Sequence, residues 1–327
     1  MNPDTFFSVI VTTRNRSDLL SRALESIAKQ KPCGTFNHEI VLVDDGSSVE
    51  HKEINLSLLT RLNLKTSYKY LEYSRQGHGP SHARNRGAQL AQGEYLCFLD
   101  DDDYWTDDTL LATAHSHLFA KNNRSLFLSN QDAVLNETEI VDKSIWIEDL
   151  KILFPELEVP FIGNVDKEKL LSSNSFAHLN CTIISKVFFE QLDGFDEAIR
   201  YEEDRDFYYR AIDQAETVIY NSHNVSRHVI PNNKNKTNAS TSLEKVSKLN
   251  MQIYSMSKIA SSATHKKLIK LCNKRQSYLT YELAYLLINE KRSRSIVLAL
   301  KGFQLSPSLS LVKYCYDFCL SFFRQAK

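Results

Sequence analysis

FLDDDDYW occupies residues 98–105, at the end of the apolar run YLCFL (95–99). Four carboxylates in a row repel one another and resist burial without partners. A chain that sets Asp100, Asp101, Asp102 and Asp103 at the mouth of a buried strand has one of two uses for them. Either they form a solvated turn, with Thr106 or Asp107 capping the next helix, or they hold a divalent cation. The flanking segments bear on that choice and define the fold class as well.

EYLCFLD (94–100) reads as a strand between two helices, HARNRGAQLAQ (82–92), stopped by Gly93, and DDTLLATAHSHLFAK (107–121). Upstream, FFSVIVTT (6–13) is a β-branched run of the kind a buried strand needs. SDLLSRALESIAKQ (17–30) puts Leu19, Leu20, Ala23, Leu24 and Ile27 at helical spacing, with Ser17 as N-cap and Pro32 and Gly34 closing the segment. HEIVLVDDGSS (38–48) is a second buried strand ending in an acidic turn. After a short helical stretch, KTSYKYLEYS (65–74) alternates as a third. Strands alternating with helices imply a parallel sheet with helices on its faces. Such sheets bind ligands beyond the carboxyl ends of the strands. Thr12, Asp44, Asp45 and Asp100–Asp103 all fall there, which argues for a shared site over a solvated turn.

The second half is less regular. SLFLSN (125–130) reads as a strand, and 136–175 shows no usable pattern. NCTIISKVFFEQLDGFDE (180–197) offers a strand, a short helix and a glycine turn. YEEDRDFYYRAIDQA (201–215) is a helix with an acidic start, and 216–230 looks like strands. PNNKNKTNASTS (231–242) is a polar loop, after which helices are expected over Leu249–Ile259, Leu268–Ile288, Ser293–Gln304 and Leu309–Phe323. The expected division is a domain over 1–240, in two halves that meet near residue 105, and a helical region over 241–327. The tail LVKYCYDFCLSFFRQAK (311–327) has one apolar face, suited to docking on protein, to a second subunit or to a membrane surface.

The 327 residues are 42% apolar, enough for a sizeable core, and carry 40 basic and 40 acidic side chains. A net charge of zero argues against whole-chain steering to nucleic acid. Six scattered cysteines without a CxxC pair suit a reduced compartment. The N-terminus lacks a basic region followed by an apolar core, and no run of 18 apolar residues occurs. A cytoplasmic protein, peripheral at most on the inner face of the membrane, is expected.

A hard cation such as Mn2+ or Mg2+ prefers oxygen ligands, and Mg2+ usually takes one or two carboxylates plus phosphate oxygens. Strand alternation would turn Asp100 and Asp102 to one side and Asp101 to the other. The fitting partner is a diphosphate, whose leaving-group charge the metal neutralises. No P-loop or GxGxxG is present, so metal and the nearby Arg84 and Arg86 would take the phosphates.

SVIVTTRNR, EIVLVDDGSS, GPSHARNRGAQLAQGEYLCFLDDDD and GFDEAIRYEEDRDFYYR, in this order and spacing, resemble glycosyltransferase family 2 over roughly residues 1–230. The resemblance implies a GT-A fold, a Rossmann-like and mostly parallel sheet, here with a C-terminal helical extension. It implies inverting transfer of a sugar from a nucleotide-diphosphate donor, usually a UDP-sugar, to a hydroxyl of a glycan or lipid-linked acceptor in surface-polysaccharide assembly. On this resemblance Thr12 and Asp44 or Asp45 line the nucleobase pocket, and Arg84 lies near base and ribose. Asp100 and Asp102 match the outer positions of D-x-D, with Asp100 near the ribose, Asp101 beside the nucleotide and Asp102 on the metal. Asp204 matches the base that takes the acceptor proton as oxygen attacks the anomeric carbon. His228 is an extra metal or phosphate contact, and His178 and Glu203 face the acceptor. Two rivals stand beside this. A phospho-accepting receiver domain would leave the acidic helix at 201–215 without a role. A non-catalytic sugar-nucleotide or glycan-binding module would not need Asp204.

Overall fold

The computed structural model describes residues 5–31, 37–74, 77–118, 124–135, 139–141, 153–230 and 243–307. The chain divides into two compact units, residues 1–232 and 233–327. The expected closure at Pro32 and Gly34, the polar loop 231–242, the last expected helix and the amphipathic tail lie outside the described residues, as does most of 136–152.

The first unit is built on one sheet. Its strands are β1 (Thr5–Thr13), β2 (Asn37–Asp44), β3 (Lys65–Tyr70), β4 (Tyr95–Asp100), β5 (Tyr104–Trp105), β6 (Ser125–Leu135), β7 (Glu139–Ile140), β8 (Ile162–Asn164), β9 (Thr182–Ser185) and β10 (Thr217–Val229). The order is β3-β2-β1-β4-β9-β6-β10-β5, with β7 on β6 and β8 on β10. The β3-β2-β1-β4 half is parallel throughout. β9 runs antiparallel to both β4 and β6 and joins this half to the parallel β6–β10 pair. In β1 and β4 nearly every side chain is buried, as strands covered on both faces require.

Helices α1 (Ser17–Ala28), α2 (Val49–Thr60), α3 (Pro80–Leu90) and α4 (Leu110–Leu118) link the first strands. α1 buries Leu20, Ala23, Leu24 and Ile27, the stripe read from its spacing. Ser17 is not its N-cap, however. Arg16 takes that position without a side-chain cap, because the Ser17 hydroxyl is engaged by His51 Nδ1 at 2.7 Å. α3 starts earlier than its periodicity suggests, with Pro80 in its first turn, where a missing N–H is harmless. It lies so close to the sheet that a Cβ on Gly87 would come within 2.5 Å of Ile10 Cγ2. Two short helices, α5 (Lys167–Leu170) and α6 (Lys186–Gln191), precede α7 (Glu203–Gln214).

The second unit contains α8 (Lys245–Ser262), α9 (Lys266–Leu287) and α10 (Arg292–Leu305). α9 and α10 pack through small residues. Ser295 Oγ donates to Ala284 O at 2.5 Å, and Ser277 Oγ donates to Gly302 O at 2.6 Å.

Candidate active site

Thr12 on β1 stands level with Val43 on β2 and with Asp100 on β4. The parallel register therefore delivers Thr12, the Asp44–Asp45 turn and the four aspartates to one end of the sheet.

At the β2 end, Asp44 is wholly buried and saturated. Its Oδ1 accepts from Ser47 N at 2.8 Å, and its Oδ2 accepts from Asn55 Nδ2 at 2.8 Å and Tyr68 OH at 3.0 Å. Asp45 accepts from the backbone of His78 at 2.9 Å and of Gly79 at 3.1 Å, and its Oδ1 meets His78 Nδ1 at 2.7 Å. The Gly77-His78-Gly79 segment can wrap Asp45 because both glycines hold positive φ, +68° and +100°. A Cβ on Gly77 would also strike Arg14 Nη1 at 2.2 Å. Both acids thus hold the turn together, and Asp45 is the half that faces the neighbouring loop.

At the β4 end the strand stops at Asp100, and Asp103 N turns back to Asp100 O at 3.1 Å. The expected alternation of side chains ends there. Asp100 and Asp102 bond different arginines, Arg84 and Arg16, since the chain between them is a turn and no longer a strand. Asp100 Oδ1 accepts from Arg84 Nη2 at 2.6 Å, and Arg84 Nη1 donates to Glu203 Oε1 at 2.8 Å. One buried guanidinium therefore ties the end of β4 to the start of α7. Asp101 and Asp102 both pair with Arg16, Asp102 at 3.0 Å. Arg86 remains on the outer face of α3, bonding Gln89 at 2.9 Å, and takes no part.

Asp103 is the deepest of the four. It accepts from His228 Nδ1 at 2.9 Å, from Asn180 Nδ2 at 2.5 Å and from Val229 N at 2.8 Å. The His178 and His228 rings lie 5.0 Å apart. Asp103, His178 and His228 each offer a ligand atom within 4.8 Å of the others, the one such group among the described residues. His178 Nε2 also stands 3.8 Å from Asp100 and 3.9 Å from Asp204. Asp204 lies in the first turn of α7 and accepts from Arg205 N at 2.8 Å. Glu202, just before it, adopts φ +58°, which turns the acidic start of α7 inward.

The structure therefore brings Thr12, Arg84, Asp100–Asp103, His178, Glu203, Asp204 and His228 together, and holds Asp44 apart in its own network. Arg16 and Asn180 were not singled out by sequence reasoning. Arg16 was visible within TTRNR, but its partners lie 85 and 86 residues away. Asn180 binds both Asp100 N, at 3.1 Å, and Asp103, and its carbonyl accepts from Trp105 Nε1 at 2.9 Å.

Six carboxylates face Arg16, Arg84 and the two imidazoles, so the charges are strongly perturbed. Burial opposes the Asp100 anion, yet Arg84 overrides it and holds the group below the usual carboxylate range. Burial and then Asp103 push Asp102 up to about 8, against Arg16. Burial raises Asp204, and it raises Glu203 despite Arg84. Burial and His228 depress His178 to about 4. Burial works against a His228 cation too, but Asp103 lifts that imidazole to about 9. Glu203 and Asp204 thus shift in the same direction, and what divides them is the partner: the Arg84 guanidinium on Glu203, the neutral His178 ring beside Asp204.

A parallel half, a reversed β9 and an acid-rich turn at the strand ends define a GT-A fold. Solved structures agree. TarS residues 1–349 of S. aureus with UDP-GlcNAc match 96% of this chain and 80% of that one, with a TM-score of 0.61 at 20% identity. A Pyrobaculum calidifontis mannosyltransferase with GDP-Man and Mn2+ matches 98% and 84%, with a TM-score of 0.59 at 16% identity. The model of glycosyl transferase family 2 matches residues 8–162, just under half of the chain, and marks that stretch as similar to the family. Among curated relatives, the poly(ribitol-phosphate) β-N-acetylglucosaminyltransferase TarS of Staphylococcus aureus strain Mu50 is 38% identical over 105 residues. A GalNAc(5)-diNAcBac-PP-undecaprenol β-1,3-glucosyltransferase of Campylobacter jejuni is 37% identical over 116 residues. These stretches cover 32% and 36% of this chain, and only 17% and 34% of the relatives' own lengths.

Proposed function

We propose that this chain is an inverting glycosyltransferase. It moves a sugar from a nucleotide-diphosphate donor, a UDP-sugar, to a hydroxyl of a glycan or lipid-linked acceptor of the bacterial surface. The observation that carries the reading is the divided pair at the start of α7. Glu203 is bound by Arg84, which also holds Asp100, whereas Asp204 takes a backbone N–H and faces neutral His178. A carboxylate raised by burial, against the opposing pull of Arg205 and Arg84, is suited to accept a proton from a hydroxyl in a single displacement. The relatives named above act on surface polymers or undecaprenol-linked glycans by their names, and the TarS structure holds UDP-GlcNAc.

The donor set of Asp103, His178 and His228 fits a divalent cation, and carboxylates with phosphate oxygens suit Mn2+ or Mg2+. Burial and then Asp103 push Asp102 up to about 8, a shift that a cation arriving beside it would reverse. Asp102 and His228 would hold the ion, with Asp103 and His178 adjoining, and it would offset charge developing on the diphosphate. Thr12, Asp45, Asp100, Asp101 and Arg84 would border the nucleotide, and His178 and Glu203 the acceptor. On this reading residues 1–240 form the transferase domain and 241–327 a helical appendage.

The test is UDP release from UDP-sugars in the presence of Mn2+, with calorimetric UDP binding measured in parallel. Asp204→Asn should lower turnover by about 10²- to 10⁴-fold while UDP still binds. Asp102→Ala should lose Mn2+-dependent UDP binding itself. Equal loss of binding in both variants would refute the assigned roles. Binding without turnover on any acceptor would favour a sugar-nucleotide binding module.

A further inference from the structure

The zero net charge of the chain conceals a division. Residues 1–232 carry 23 basic and 36 acidic side chains, and residues 233–327 carry 17 basic and 4 acidic. Within the described helices of the second unit, residues 243–307 hold 12 basic and 3 acidic side chains, Glu244, Glu282 and Glu290. From Lys291 to Pro307 there is no acid at all, but Lys291, Arg292, Arg294 and Lys301 are present and exposed.

α10 is also built the wrong way round for a helix that only completes a core. Its buried residues are small, Ser295 and Gly302, with Leu298 and Ala299 partly covered. Its large apolar side chains face out: Val297 is 63% exposed, Leu300 61%, Phe303 42% and Ile296 37%. At 3.6 residues per turn these four share one arc of the helix. Arg294 and Lys301 border that arc on one side and Arg292 on the other.

We infer that this face of α10 is a docking surface for an anionic phospholipid membrane. An apolar stripe bordered by cations is the pattern that lies in a bilayer interface, with the stripe among acyl chains and the cations at the headgroups. A second copy meeting it through the same face would bring the same excess of positive charge. A soluble polyanion would satisfy the cations but leave Val297, Leu300 and Phe303 in water. Among the described residues no helix is long and apolar enough to cross a membrane, so the contact would be peripheral. The inference rests on the charge and exposure of the second unit and stands apart from the proposed activity.

The experiment is co-sedimentation of the full chain with phosphatidylcholine vesicles, with and without phosphatidylglycerol, and with soluble polyphosphate as competitor. Binding should require phosphatidylglycerol and weaken with salt. Each cation reversed, Arg294→Glu or Lys301→Glu, should cost at least about fivefold in partitioning. Leu300→Gln should cost roughly tenfold or more, and Leu300→Phe should restore it. Because these side chains are exposed, unchanged thermal melting will show that the variants are folded. No vesicle binding, or equal binding to both vesicle types, would overturn the inference. So would binding indifferent to Leu300→Gln and abolished by polyphosphate, which would make the surface a polyanion site. A dimer in solution that Leu300→Gln dissolves would overturn it in favour of a second copy.

Discussion

Two acidic turns flank β1, one after β2 and one after β4, and their carboxylates are treated differently. Asp44 is met by neutral donors, a backbone N–H, the Asn55 amide and the Tyr68 hydroxyl, and Asp45 by backbone N–H groups and the His78 ring. Asp100 and Asp101–Asp102 are met by arginine, and Asp103 by a protonated His228. The first arrangement fixes a turn by geometry. The second leaves several carboxylates sharing a few cations, so an arriving charged ligand changes the energy of the whole cluster. Identical residue types at equivalent strand ends thus become scaffold or site according to what faces them.

The contrast can be broken most forcefully at Asp103. Asp103→Ala strands a buried imidazolium, the Asn180 amide and Val229 N–H, and should cost about 3–5 kcal/mol in urea denaturation. The next effect is a pH dependence of the metal-free protein. The folded pKa of His228 is raised from 6.5 to about 9, so its stabilisation is fully present below pH 6.5. It should fade as pH rises through 9, by up to about 3 kcal/mol, and His228→Gln should flatten that slope. His178 has the opposite sign. Its folded value is depressed to about 4, so its contribution is present above pH 6.5 and is lost as pH falls towards 4. Stability curves against pH for His228→Gln and His178→Gln check the pair. At the other turn, Asp44→Ala should cost less than Asp103→Ala, about 1–3 kcal/mol, because only neutral donors lose their acceptor. Equal costs for the two would remove the distinction. The smallest change is Tyr68→Phe, about 1 kcal/mol in stability with UDP binding unaltered.

Much of the first half was legible in the sequence, because buried strands and amphipathic helices have periods that need no tertiary information. β1, β2, β4 and α1 fall close to where apolar spacing puts them. The acidic turn was legible as a candidate site because acids from strand ends far apart in sequence converge on it. What escaped was whatever depends on the order of strands. Asp103, His178 and His228 meet only because β9 reverses between β4 and β6, a pairing no local pattern encodes. Arg16 escaped for the same reason, its partners being far along the chain. The side-chain directions at 101–103 were misjudged because strand alternation was carried past the point where the backbone turns.

The excess of carboxylates over cations at the site has a thermodynamic consequence. An anion entering alone works against the local field, whereas a cation entering alone is welcomed. Their affinities must therefore be linked, and linkage is reciprocal: the factor by which a divalent ion tightens a nucleotide is the factor by which that nucleotide tightens the ion. Titrating either ligand at fixed levels of the other will yield one coupling constant. On the proposed function, this surplus predicts that metal binds before nucleotide.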